Sequence, residues 1–119
     1  MAPRPDPRTV SDHFANRPPG LAATYAKILR SARKHGPVRE EPKKTSIHLA
    51  NTTAFAGIAV QKASIILTLK SKTDIKSPRI AKREQVSANR WHLEIRLDAP
   101  EQVDAELERW LTTAYRLTA

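Results

Sequence analysis

The chain has 119 residues, room for one domain with one modest core. Its 21 lysines and arginines against 12 aspartates and glutamates leave a net charge of +9, which favours anionic partners such as nucleic acid, lipid headgroups or phosphorylated metabolites. It has no cysteine, which excludes disulfides, thiolate-held zinc and thiol catalysis and fits a reducing cytoplasm.

The opening MAPRPDPRTV lacks the apolar core of a signal peptide. The apolar runs AFAGIAV and SIILTL are far shorter than the ~20 residues of a membrane span. The expectation is a soluble, cytoplasmic protein.

Pro3, Pro5 and Pro7 alternate with polar residues and bar a helix or central strand over the first ten or so positions. Residues 1–18 therefore read as a flexible Pro/Arg-rich tail, with Arg4 and Arg8 free to touch an anion or simply solvated. Residues 19–119 read as one α+β domain. In LAATYAKILRSARKHG, Leu21, Tyr25, Ile28, Leu29 and Ala32 share one helical face, and Gly36-Pro37 stops the helix.

From Thr45 the period becomes two. Thr45, Ile47 and Leu49 point one way, and Ser46, His48 and Ala50 the other. AFAGIAV and SIILTLK follow at turn-length spacing, so the three segments predict an antiparallel meander. Residues 71–90 admit a loop, a helix or a strand, and we read a loop followed by a short strand. RWHLEIRL is the cleanest strand, with Trp91, Leu93, Ile95 and Leu97 towards the core and His92, Glu94 and Arg96 away from it. Asp98 is placed to cap a final helix whose stripe is Val103, Leu107, Trp110, Leu111, Ala114 and Leu117. Two apolar helix faces and one sheet predict a two-layer α+β domain, an antiparallel sheet of 4–5 strands with both helices on one side.

PVREEPKKTSIHLANTTAFAGI, SPRIAKREQVSANRWHLEIRL and VDAELERWLTTAYRL, in that order, resemble the bacterial domain of unknown function 5655 family over about residues 20–118. The resemblance implies a domain that stands alone or follows other modules, nuclease-like ones included. It implies no catalytic residues, because the family has no established activity. The label of predicted transport protein that some members carry has no membrane span to support it here.

Three sets of residues remain as candidates. Lys43, Lys44, Lys70, Lys72, Lys76, Arg79, Lys82, Arg83 and Arg90 could gather at one end of the sheet and hold phosphates; the plainer reading is a solvated basic rim. His48, His92 and Glu94 share the sheet side opposite the helices, and would form a ligand or metal site if their strands were neighbours; hydrogen-bonded surface histidines are the plainer reading. Ile66 and half of AFAGIAV on that same side suggest pairing with a partner protein or a second copy. There is no Gly-rich phosphate loop, no nucleophile elbow and no cofactor motif. The sequence thus points to a non-enzymatic accessory module binding an anionic partner, nucleic-acid backbone first, with a homodimerisation domain second and an enzyme or small-ligand site third.

Overall fold

Asp12 donates its backbone N–H to Thr9 Oγ1 (3.2 Å) and its carboxylate accepts from the Thr9 N–H (3.0 Å). This capping box starts a short helix, α1, Val10–Phe14. The structure, a computed structural model, describes residues 9–118. The expected tail residues Arg4 and Arg8 lie outside the described residues. Residues 9–18, expected in the tail that Pro3, Pro5 and Pro7 begin, are instead partly helical and tied down: the Phe14 ring packs 5.2 Å from that of Tyr25. Proline breaks structure only where it falls, and between Thr9 and Arg17 there is none.

Helix α2, Pro19–Arg33, begins on a proline at its first turn, where a missing N–H costs nothing. Leu21, Tyr25, Ile28 and Ala32 are buried as their spacing predicts. Strand β1, Arg39–Pro42, is an addition to the expected elements. Its residues carry no apolar alternation, and it is held by side-chain bonds to α2. The buried Tyr25 hydroxyl donates to Glu40 (2.6 Å), and Arg33 approaches the same carboxylate (3.7 Å). Burial first, and then the Glu40 carboxylate, raise the Tyr25 pKa far above its ordinary value.

The remaining strands are β2, Ile47–Ala50; β3, Ala54–Val60; β4, Ile65–Ser71; β5, Ile80–Ser87; and β6, Arg90–Leu97. They form one antiparallel sheet in the order β1-β2-β3-β4-β6-β5, six strands rather than four or five. The stretch 71–90 resolves into a connection at 72–79 and an eight-residue edge strand, longer than the short one expected. Because β6 lies between β4 and β5, that connection must travel from one end of the sheet to the other. A register shift between Leu49 and Ala50 turns Ala50 inward, against the simple alternation that put it beside His48.

Helix α3, Ala105–Leu117, is capped by Asp104, whose carboxylate accepts from the Leu107 N–H (3.1 Å). Asp98 is not the cap. A 3-10 turn at Pro100–Gln102 intervenes, and its Gln102 side chain accepts from the N–H groups of Asp98 and Ala99 (2.6 and 3.0 Å). Helices α2 and α3 cover one face of the sheet. There they enclose Ile47, Leu49, Ile58, Leu67, Leu93 and Ile95, all at most 1% exposed. Among the described residues no element covers the other face.

Tyr115 locks α3 to the α2–β1 turn. Its ring meets Phe55 edge-on at 5.3 Å and its hydroxyl donates to the Pro37 carbonyl (3.2 Å). Gly36 beside it has φ +145°, and a Cβ there would lie 2.5 Å from the Tyr115 oxygen. Both strain and contact forbid a side chain. Gly36→Ala is expected to lower the unfolding free energy by about 1–3 kcal/mol in urea titration. Gly20→Ala, in the first turn of α2 where the nearest atom is 4.0 Å away, should leave it unchanged or raise it.

Candidate functional site

Period-two alternation decides what the uncovered face displays. On β3, Ile58 faces the core, so Gly57 and Ala59 face outward. Gly57 stands opposite His48 on β2 and opposite Thr68 on β4. A row that begins with Glu41 and ends with Glu94 and Lys82 therefore has no side chain near its middle. In the next row Lys70 on β4 faces His92 on β6, and beyond it Glu84 on β5. The missing side chain leaves a hollow of about 270 Å³. Phe55, Gly57, Ala59 and Thr68 are among the residues that line it, and Ser46, His48, Lys70 and His92 border it.

His48 and His92 do share this face, but two strands separate theirs. At the roughly 4.8 Å spacing of paired strands, and with His92 two residues off the His48 row, their backbones are about 16 Å apart. Glu94 is in the His48 row, three strands away from it, and 4.0 Å from Lys82. The expected His48–His92–Glu94 set does not converge on one ion. Among the described residues no group of three or more His, Asp or Glu side chains could hold a metal. What the fold brings together is different: His48, His92 and Lys70 around one depression.

The basic candidates do not gather at one end. Lys43 and Lys44 lie in the β1–β2 turn, whereas Lys72 and Arg90 flank the Ser71–Trp91 pair at the opposite end of the sheet. Lys76 belongs to the 72–79 connection, which passes on the helix side, where Ile75 packs against the core. Three candidates are occupied within the chain. Arg79 binds Asp104 (2.9 and 3.1 Å), Glu106 (3.1 Å) and the Gln102 carbonyl (2.7 Å), with its guanidinium 5.7 Å from the centre of the Trp110 ring. Arg83 pairs with Asp74 at 3.4 Å and Lys82 with Glu94 at 4.0 Å. Lys43, Lys44, Lys70, Lys72, Lys76 and Arg90 make no ion pair among the described residues. Arg96, on the open face across from Ile66, is likewise unpaired among them and stands outside the expected basic set.

Large apolar side chains are scarce on the open face. Ile66 is only partly exposed, and the exposed large apolar side chain among the described residues is Val86 on the edge strand. Gly57 and Thr68 are site residues that the sequence does not single out. A glycine inside an otherwise apolar strand is their only signal.

Arg79 is a structural clamp. Its guanidinium, and then the Leu107 N–H, hold the Asp104 carboxyl below its usual pKa of 3.8. A lowered carboxylate pKa contributes stability that is present above pH 3.8 and lost as the pH falls through the folded-state value. Arg79→Ala should lower the unfolding free energy at neutral pH by about 1–3 kcal/mol, from hydrogen bonds to charged partners. In acid titration followed by circular dichroism, Asp104→Asn should start less stable than wild type and lose less below pH 4.

The model of the domain of unknown function DUF5655 matches residues 10–118. No curated protein and no solved structure matches the chain. The match spans nearly the whole chain, α1 included, and the protein belongs to the DUF5655 family.

Proposed function

We propose that this DUF5655 domain is a non-enzymatic accessory module that binds an anionic partner, nucleic-acid backbone, across its uncovered sheet face. One observation carries the reading. Among the described residues, Lys70, Arg90 and Arg96 stand on or at the rim of that face with no carboxylate paired to them, and Lys43, Lys44 and Lys72 extend the cations to both ends of the strands. Flexible unpaired cations on an open surface suit phosphate contacts, which need charge and reach more than shape. The acids on that face do not cancel them: Glu94 is near Lys82, Glu41 is 3.5 Å from Arg39, and Glu84 alone of the three has no ion pair among the described residues.

The face exposes no Tyr or Trp among its described residues: Trp91 and Trp110 pack against the core from the helix side, and Phe55, which lines the hollow, is fully buried against Tyr115. Sequence reading by ring stacking is therefore weak, and binding falls chiefly on the backbone. Self-association through this face has little apolar area to draw on.

Fluorescence anisotropy with labelled single-stranded and duplex DNA, repeated across salt, tests the reading. Binding is expected at low salt, weakening as salt rises. The Lys72→Ala/Arg90→Ala double variant should weaken it further and make log K less salt-dependent, by about one unit of slope for each phosphate that is no longer neutralised. No binding by wild type at low salt would overturn the proposal.

A further inference from the structure

Gly57 is a glycine that the fold does not require. Its φ is not positive; Gly36 is the glycine that has such a φ. A Cβ at Gly57 would meet only His48 Cδ2, at 3.9 Å, an ordinary separation. Inside a strand paired on both sides, glycine loses about 0.5–1 kcal/mol relative to alanine. Neither backbone conformation nor crowding accounts for it. What the missing side chain does produce is the hollow on the open face.

The lining of the hollow has a definite chemistry. Lys70 supplies an ammonium group, Ser46 and Thr68 supply hydroxyls, and His48 and His92 supply two imidazoles. No carboxylate lines it: Glu41, Glu84 and Glu94 face His48, His92 and Thr68 from the next strand outward. Between the donors the surface is apolar, made by Gly57, by Ala54, Ala56 and Ala59, and by Phe55. At about 270 Å³ the hollow sits at the small end of ligand pockets, which run from ~300 Å³ upward. It has room for one small unit with an apolar ring and an anionic group, and it meets the ring with imidazoles that can stack on it.

We infer that the hollow seats one nucleotide, its base over Gly57 and Ala59 and its phosphate on Lys70. The inference rests on the proposed binding of nucleic acid and narrows it: a base reaches the hollow from a single strand or a free nucleotide, not from a stacked duplex. The cations Lys72 and Arg90 beside Lys70 then hold neighbouring phosphates of the strand.

Three probes separate these sources: a fluorescein-labelled oligo-dT, a labelled duplex of equal length, and AMP followed by amide chemical shifts. Gly57→Val fills the hollow with a residue that strands favour, and its melting curve shows whether the fold is kept. Lys70→Gln, which removes one half-buried charge from the sheet surface, is the second variant should Gly57→Val fail to fold. Wild type should bind oligo-dT at least about tenfold more tightly than duplex, as one stacked base allows. Gly57→Val or Lys70→Gln should remove that preference, and AMP should shift the amides of Gly57, Thr68 and His92 in wild type only.

Oligo-dT affinity unchanged by both variants, with Arg90→Ala still weakening it, would overturn the nucleotide seat and leave the backbone reading intact. Loss of binding to both DNA probes with AMP shifts retained would keep the seat, for a free nucleotide, and overturn the backbone reading. No response to any probe would overturn both.

Discussion

Seven consecutive residue pairs, from Ile65–Leu97 to Ser71–Trp91, join β4 to β6. That ladder places the chain's last strand between β4 and β5, although β5 precedes it in sequence. The 72–79 connection must therefore run back along the domain before β5 can start, and one side chain anchors its end. Arg79 is the anchor, reaching Asp104, Glu106 and Gln102 at the start of α3. The same ladder sets Lys70 against His92 and Thr68 against Glu94, so the composition of the open face follows from it. It also pushes β5 to the edge, where seven of its eight residues are exposed. The charges of Lys82, Arg83 and Glu84 there discourage a second sheet from adding on.

The positive charge of the domain divides into two populations. Arg33, Arg39, Arg79 and Arg83 work inside the chain, tying β1 to α2 and to its own strand, and the crossover to α3 and β5. Exposed pairs of this kind contribute little to stability singly. Arg79 is the exception, with a side chain only 25% exposed and several acceptors at once. Lys43, Lys44, Lys70, Lys72, Arg90 and Arg96 have no such duty among the described residues. Their ammonium and guanidinium groups repel one another, a repulsion that a bound anion would relieve. Counting lysines and arginines along the sequence mixes the two populations, which is why Arg79, Lys82 and Arg83 look like binding residues there.

The parts of the fold that bury a stripe are legible in the sequence. The faces of α2 and α3, the alternation of β4 and β6, and the two-layer arrangement all follow from apolar periodicity. The parts that bury nothing of their own are not. Strand β1 reads Arg-Glu-Glu-Pro and is decided by Tyr25 reaching Glu40 across the core edge. Strand β5 reads only as a short strand after a loop because seven of its eight residues are exposed, and its ladder to β6 gives it its full length. The Asp98 cap is a local preference overridden by Gln102, whose side chain takes the two N–H groups a helix start would have used. For the site, alternation puts His48, His92 and Glu94 on the correct face, but their separation depends on strand order: the meander sets β2, β3 and β4 side by side, and nothing local encodes that β6 joins at β4.

Gly36 and Gly57 show how the same residue answers two constraints. At Gly36 the backbone turns through a conformation that L-residues avoid, and Tyr115 occupies the space a Cβ would need. Packing alone accounts for it. At Gly57 the backbone is ordinary and the space is open, so packing accounts for nothing there. A stabler strand was available in alanine or valine, and a sheet face with no hollow would have come with it. Where local preference is set aside without a structural reason, the physical account has to look outward, to what the surface meets. The segment of residues 41–50, EPKKTSIHLA, contributes to both parts of this surface. Its lysines mark one end of a cationic surface. Its His48 borders a hollow that exists because the strand beside it carries no side chain at Gly57.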